Sequence, residues 1–301
     1  MKILVTGATG LVGKYLVTEL LATGYEINYL TTQKLKLNSL PNCTGFLWDL
    51  KTQTIDKNCI AGVSVIIHLA GANIGKRWTK SYKKEIIESR VKSTQLLYKL
   101  LQQNTHQIQQ FVTASGVGIY KSSLTENYNE DSTKFGTGFL AEVVQKWEHA
   151  ADNFINLNIK VSKIRTGVVL AKKEGALVKM MQPIKMGFGA VLGTGKQQMS
   201  WIHVNDLVRL YVFVVQHKLE GSVNAVAPQV VTNAMFTQIL AKQLHKKIRF
   251  PNVPKFMLNL LLGEMHLLLC ESQKVSSNKI QKIGFEFQYL TATEAISNLL
   301  P

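Results

Sequence analysis

The sequence predicts an α/β protein: a doubly wound, parallel Rossmann-type sheet with a smaller, interleaved α/β C-terminal substrate domain. Three observations predict it. Short β-rich runs alternate with amphipathic helical patterns up to Arg165. The runs are apolar throughout rather than at alternate positions, as strands buried on both faces are. A glycine turn, Thr6-Gly7-Ala8-Thr9-Gly10-Leu11-Val12-Gly13, joins the first run to the first helical pattern.

Taken in order, Lys2–Thr6 reads as a strand and Leu11–Thr23 as a helix with Val12, Leu16, Leu20 and Leu21 apolar and Gly24 as its stop. Ile27–Thr31, Gly45–Trp48, Val63–Leu69, Phe111–Ala114 and Val161–Ile164 read as further strands, with helices over Thr79–Gln103 and Phe139–Phe154. After Arg165 the texture changes. Gly187, Gly189, Gly193 and Gly195 mark a long loop region expected to fold over the ligand crevice. Trp201–Val204 and Gly221–Val226 read as a return to the sheet. Residues 1–165 are therefore expected to form the dinucleotide-binding unit, its sheet completed by about 200–227, with 166–199 and 228–301 on the substrate side. Asn233–Leu244, Pro254–Leu269 and Thr291–Leu300 read as helices and Ile248–Phe250 as a strand. No internal repeat is present.

The glycines at 7, 10 and 13 carry the strongest chemical signal. The first permits a tight turn, the second lets the backbone approach a pyrophosphate, and the third allows close helix–strand packing. Gly7, Thr9, Gly10, Leu11, Val12 and Gly13 would then bring N–H groups and the positive end of a helix to the phosphates. The second strand ends at Leu30-Thr31-Thr32 without the acidic residue that would hold a ribose 2′-hydroxyl. Nothing there repels a 2′-phosphate, and Lys34 and Lys36 can attract one, so NADP is preferred and NAD is the alternative. Asp49 could accept from an adenine amino group, or could be a surface loop aspartate. The small residues of Leu69-Ala70-Gly71 let the backbone lie against a cofactor.

Composition excludes other classes. A chain of 301 residues with 46% hydrophobic residues buries a large core without metal or disulfide. Cys43, Cys59 and Cys270 form no paired framework and no metal motif. The first residues already read as a core strand, so no signal peptide is expected. Phe256 to Cys270 is too short and too polar to span a bilayer. A cytoplasmic protein with no membrane partner is expected. The net charge of +16 comes mostly from scattered lysines, with modest clusters at Lys76–Lys84 and Lys242–Arg249. No recognition motif accompanies them, so no specific nucleic-acid partner is expected. The expected partner is an unknown small-molecule substrate. The helices at 79–103 and 139–154 show no exposed apolar face, which leaves monomer or homodimer open.

Longer motifs add a resemblance. They are His68-Leu-Ala-Gly-Ala-Asn-Ile74, Lys76-Arg-Trp-Thr79, Ser89-Arg-Val91 with Thr94, and Ser115-Gly-Val-Gly118 with Tyr120. Phe139-Leu-Ala-Glu-Val143 with Trp147-Glu148 and Arg165-Thr-Gly-Val-Val-Leu170 come next. Gly193-Thr-Gly195, Ser200-Trp-Ile-His203 with Asp206, Ala227-Pro228, Gly263-Glu-Met265 and Gly284-Phe-Glu-Phe287 follow. In these the chain resembles the extended, epimerase-like branch of the short-chain dehydrogenase/reductases. More narrowly it is similar to an atypical subfamily of NAD(P)-binding epimerase family proteins whose substrates are not established. The resemblance implies cofactor contacts at Thr31, Thr32, Leu69, Ala70, Glu85 and Arg90. Many such proteins carry arginine where this chain has Thr32. Arg90 could reach the cofactor or a carboxylate such as Glu85.

The superfamily's usual acid–base pair is absent. A tyrosine normally exchanges a proton with the substrate oxygen, and a lysine four residues on lowers its pKa. Here that helix reads Phe139-Leu140-Ala141-Glu142-Val143-Val144, so neither alignment supplies a phenol or an ammonium. Ser115, Tyr120 and His203 are the remaining catalytic candidates. Their alternatives are a strand-end serine, a core or loop tyrosine and a buried histidine tethering a loop. Asp206 is expected to cap the helix that follows it. Arg165 could meet an anionic ligand or anchor a buried carboxylate, and Trp78 and Trp201 could line a pocket or fill the core. Two readings remain: an NAD(P)-dependent oxidoreductase or epimerase-like enzyme, and a non-catalytic dinucleotide-binding redox sensor or regulatory protein.

Overall fold

The structure, a computed structural model, describes residues 1–300. The chain begins with β1 (Lys2–Thr6), α1 (Leu11–Ala22), β2 (Glu26–Thr31), β3 (Cys43–Asp49), β4 (Thr54–Ile55) and β5 (Val63–His68). It continues through α2 (Lys80–Gln103), β6 (Gln110–Gly116), β7 (Asn127–Tyr128), α3 (Phe139–Asp152), β8 (Lys160–Thr166) and β9 (Val168–Leu170). Eight strands form the main sheet in the order β12-β8-β6-β5-β1-β2-β3-β4, where β12 is Gly221–Ala225. All its pairings are parallel except that of β4 with β3. The order reverses at β1: chain to one side runs through β2 and β3, and to the other through β5, β6 and β8. This is the crevice position at which open α/β sheets bind ligands.

Both faces are covered, which is why consecutive residues such as Ile3–Val5 of β1 and Val65–Ile67 of β5 are all apolar. Leu16, Val17 and Leu20 of α1 pack with Ile3, Val5 and residues 207–215 over one face. Leu96, Leu97, Leu100 and Leu101 of α2 pack with Leu4, Ile66 and Phe111 over the other. Gly24 adopts φ +84 just beyond α1, so the stop expected there is the one used.

The later chain contains α4 (Ala176–Lys185), β10 (Gln198–Met199), β11 (Trp201–His203), α5 (Val204–Gln216), then β12, β13 (Val231–Thr232) and α6 (Asn233–Gln243). It closes with α7 (Lys255–Leu262), α8 (Leu267–Cys270), β14 (Lys274–Val275), α9 (Asn278–Lys282) and α10 (Ala292–Leu299). Three two-stranded ribbons, β10–β13, β11–β9 and β14–β7, stand outside the main sheet.

Several expectations need correction. β12 joins the main sheet beside β8, but Trp201–His203 pairs with Val168–Leu170 in a separate ribbon. Residues 248–250 form no strand. The helix read over Pro254–Leu269 is broken at Gly263, where φ is +58 and the chain passes through a 3-10 turn to α8. Ahead of the glycine-marked loop, where no helix was expected, the chain forms α4, whose Leu177, Met181 and Ile184 are buried one turn apart.

Candidate functional site

The turn between β1 and α1 is built for close backbone approach. Gly7 has φ +70, and a Cβ there would sit 2.9 Å from the Leu69 carbonyl carbon. A Cβ on Gly13 would collide with the Gly7 carbonyl oxygen and Ala8. The turn is closed by the Gly10 N–H donating to Gly7 O at 2.9 Å. Gly13 is buried against the strand, whereas Gly10 is exposed and Thr9, Leu11 and Val12 are half-buried, so the head of α1 faces outward. No side chain caps that end, and its first N–H groups remain available to an anion.

The end of β5 is tied to this turn by His68. The Thr6 hydroxyl lies 2.7 Å from His68 Nδ1 and accepts from the Ala70 N–H at 3.1 Å. Ser93 Oγ donates to Arg90 O at 2.9 Å and lies 3.1 Å from His68 Nε2. Those roles assign the ring proton to Nε2, donating to Ser93, with Nδ1 accepting from Thr6. Burial, with the Arg90 charge nearby, pushes His68 down to about 3. The imidazole is therefore a neutral brace that fixes Leu69, Ala70 and Gly71 beside the glycine turn.

Arg90 lies beneath Gly71. Its Nη1 donates to Ala72 O at 3.2 Å and Ile86 O at 2.9 Å, and its guanidinium lies 4.9 Å from the Trp147 ring centre. A Cβ on Gly71 would come within 2.9 Å of Arg90 Cζ. Only 9% of the residue is exposed, and burial lowers its pKa to about 10. Arg90 Nε has no hydrogen-bond partner among the described residues, and no carboxylate pairs with the group. Glu85, the carboxylate expected within reach, is exposed on the surface of α2 and makes no ion pair with it.

At the other end of the rim, the Thr31 hydroxyl accepts from the Gln33 N–H at 3.2 Å, and Thr32 is exposed. Asp49 is exposed at the end of β3. Its Oδ1 accepts from the Lys51 N–H at 2.7 Å, and that hydrogen bond lowers the carboxyl pKa. The residues present thus fit a dinucleotide: a glycine cradle, an uncapped helix end, and a buried guanidinium with an unpartnered nitrogen.

The strand ends beyond β5 hold a closed polar network. Sheet register sets Ser115 of β6, Arg165 of β8 and Asn224 of β12 side by side. Arg165 Nε and Nη2 donate to Glu148 Oε1 and Oε2, each at 2.8 Å, and Ser115 Oγ donates to Glu148 Oε1. Arg165 Nη1 donates to the Tyr120 hydroxyl at 3.0 Å, which donates to Asn224 Oδ1 at 2.9 Å. Glu130 Oε1 accepts from the Asn224 N–H at 2.8 Å. Burial opposes the Arg165 charge, yet the Glu148 hydrogen bonds and charge outweigh it and hold the guanidinium firmly protonated. Burial raises the Tyr120 phenol, with Arg165 acting against it.

Of the alternatives open in the sequence, Arg165 takes the buried carboxylate. Tyr120 is 1% exposed and stacks on Tyr128 at 5.1 Å between ring centres. His203 is the N-cap of α5, with Nδ1 accepting from the Asn205 N–H at 3.1 Å and its ring stacked on Tyr289 at 3.7 Å. Burial pushes it down to about 4, the Asn298 side chain acting against the shift. Asp206 does not cap that helix. It is buried in the first turn and accepts from the Gln288 and Tyr289 N–H groups, pinning the C-terminal segment. Trp201 is fully buried among Leu170, Leu177 and Phe236.

Trp78 does stand near the rim, packed with Ile74, Phe139, Leu140 and Met265. Phe139, at one of the two tyrosine alignments, turns edge-on to Trp78 with 4.9 Å between ring centres. The C-terminal segment closes over this apolar wall: Lys83 of α2 pairs with Glu264 at 2.6 Å, and Glu271 reaches toward Gly138 at the head of α3. Burial raises the Glu271 carboxyl, opposed by the Gln273 hydrogen bond and by Lys255 and His266. Glu148, Glu130, Asn224 and Glu271 were missed as site residues. Only Glu148 had a sequence signal, the Trp147-Glu148 pair on the acid–base helix.

Comparison with known proteins fits this geometry. The model of the NAD dependent epimerase/dehydratase family matches residues 3–141 and 158–227, and a domain of unknown function (DUF1731) matches 253–299. The first match is interrupted in α3, the helix that lacks the tyrosine and lysine. An epimerase family protein of Staphylococcus epidermidis is 35% identical over 301 residues, covering 99% of this chain and 98% of that one. The crystal structure of human epimerase family protein SDR39U1 (isoform 2) with NADPH superposes with a TM-score of 0.85 at 28% identity, covering 99% of both chains. A nucleoside-diphosphate sugar epimerase from Corynebacterium glutamicum gives 0.78 at 29% identity, over 99% of this chain and 57% of that one. Together with the glycine turn and the parallel sheet, these matches mean that the chain belongs to the NAD dependent epimerase/dehydratase family.

Proposed function

We propose that this protein is an NADP(H)-dependent oxidoreductase of a small molecule that works without a tyrosine–lysine pair. The observation that carries the proposal is the rim itself. An uncapped helix end at Gly10 and a buried, carboxylate-free Arg90 lie on either side of Leu69–Gly71. Gly7, Thr9, Gly10, Leu11, Val12 and Gly13 would hold the pyrophosphate; Thr31, Thr32 and Asp49 the adenosine half; and Leu69, Ala70, Gly71, Glu85 and Arg90 the remainder. Exposed Thr32 and Lys34, with no acidic residue at the end of β2, favour NADP over NAD, as does the NADPH in the human relative's structure. When bound, such a cofactor supplies or accepts a hydride.

The chain's own groups bind and orient. The apolar wall of Trp78, Phe139 and Met265 excludes water from one side of the crevice. Ser115, Tyr120 and Arg165 shape its floor while spending their hydrogen bonds on one another, on Glu148 and on Asn224. A proton would then come from solvent or from the substrate itself.

A second reading, a non-catalytic redox sensor, is favoured by that same closed network, since Ser115 and Tyr120 spend their hydroxyls within it and His203, although its Nε2 is unpartnered, is buried as the N-cap of α5. Following NADPH consumption over a panel of carbonyl compounds and sugar nucleotides separates the two. Turnover with any of them, lost in Arg90→Met, supports the enzyme. Saturable NADPH binding with no turnover across the panel rejects it in favour of the sensor.

A further inference from the structure

One side of the molecule carries apolar surface that the dinucleotide site does not use. In α7, Leu258 is buried, while Phe256 and Leu260, one turn apart on the opposite face, are 72% and 83% exposed. Met257 and Leu261 are exposed beside them. The chain leading into α7 is held against the loop after α4 by Val253 N–H donating to Val191 O and Gly193 N–H donating to Val253 O, both at 2.8 Å. That loop and segment add three more exposed apolar side chains, Met186, Phe188 and Phe250, the two phenylalanine rings 5.9 Å apart.

Along the segments that carry this surface the charges are of one sign, and of the two carboxylates that follow α7, Glu264 is paired with Lys83 and Glu271 is half-buried. Residues 175–205 contain Lys179, Lys185 and Lys196 and no carboxylate, and residues 221–263 contain Lys242, Lys246, Lys247, Arg249 and Lys255 and no carboxylate. All are exposed and free of ion pairs among the described residues, and only Lys179 is engaged, donating to Gly75 O at 3.0 Å. Lysine and arginine elsewhere, by contrast, pair repeatedly with Glu and Asp, as Lys83, Lys92, Lys134 and Lys146 do.

We propose that α7 and the adjoining loop dock the protein on an anionic lipid bilayer, with Phe256, Met257, Leu260 and Leu261 entering the headgroup–acyl boundary and Lys246, Lys247, Arg249 and Lys255 meeting the phosphates. A short amphipathic helix with a basic flank lies in such an interface rather than crossing it. Among the described residues no helix is long and apolar enough to span a membrane, and none is needed. The charge pattern selects this occupant. A two-fold dimer would set the basic patch against itself, and like charges disfavour that contact. Phe188, Phe250 and Phe256 are outnumbered by Met186, Met257, Leu260 and Leu261, which give nucleic-acid bases no stacking platform.

The test is co-sedimentation of the full chain with phosphatidylcholine vesicles, with and without phosphatidylglycerol. Binding at least about tenfold greater to the anionic vesicles is expected. The variant Phe256→Ser/Leu260→Ser, which keeps every charge, should abolish it, as should Lys246→Glu/Lys247→Glu/Arg249→Glu. The equally charged Lys57→Glu/Lys99→Glu/Lys160→Glu, at the opposite end of the sheet, should bind like wild type. Circular dichroism and NADPH affinity, unchanged in all of them, report that these exposed changes leave the fold intact. Equal binding by wild type and the Phe256/Leu260 variant would overturn the proposal as general polycation attraction. So would a wild-type dimer, or an oligonucleotide complex, that needs Phe256 and Leu260 while vesicles bind nothing.

Discussion

Removing the Glu148 carboxylate would leave the Arg165 guanidinium buried among Tyr120, Asn224 and the β6–β8 backbone. Glu148→Ala is expected to cost about 3–5 kcal/mol, the range for stranding one partner of a buried pair. The double change Glu148→Leu/Arg165→Met should cost less than the single one, and urea unfolding of both measures the difference. The histidines give a second expectation. His68 and His203 are held neutral, at about 3 and about 4, below the value of about 6.5 they regain when unfolded. The unfolded state therefore binds protons first, so their contribution is complete above about pH 6.5 and is lost as pH falls toward 4. The loss is roughly 1.4 kcal/mol per pH unit for each histidine, and His203→Gln should flatten the slope measured by denaturant titration across that window. Arg90→Met should weaken NADPH binding by about 1.5–3 kcal/mol, the worth of a hydrogen bond to a charged group.

Elements that speak through local pattern were legible in the sequence, and those that depend on distant partners were not. β1 and β5 announce themselves as apolar runs because both faces of each are buried, and β2, β6 and β8 as shorter β-rich runs that carry Asn28, Thr113 and Ser162. α10 is readable from Thr291 and Glu294, whose side chains make a reciprocal capping box. Thr291→Ala should accordingly cost about 1 kcal/mol, read as a shift in the urea midpoint. By contrast α4 hides between glycines and contains Pro183, which masks its helical spacing. Trp201 and Ile202 of β11 and Val204 of α5 read together as one strand, and only the cap by His203 shows where the strand stops and the helix starts. Asp206 looks like a helix cap locally, yet its acceptors serve Gln288 and Tyr289, more than eighty residues downstream. The glycine turn was legible because its chemistry is local. The fate of Ser115, Tyr120 and Arg165 was not, because the register of three strands and the depth of Glu148 decide it.

At the scale of the whole molecule, a parallel sheet with its strand order reversed at β1 puts the glycine turn, the His68 brace and Arg90 on one rim. The C-terminal segment is fastened over that rim by Lys83–Glu264 and by Asp206. A ligand that binds only the folded chain raises its stability, by about 2.7 kcal/mol at a hundred times Kd. The direct measurement is a tryptophan-fluorescence titration of the purified protein with NADPH and, separately, NADH, since Trp78 and Trp147 lie beside the proposed site. Saturable quenching by both, tighter for NADPH and weakened in Arg90→Met, is the expected result. Binding of neither dinucleotide would contradict dinucleotide binding at the glycine turn, and with it both the enzyme and the sensor.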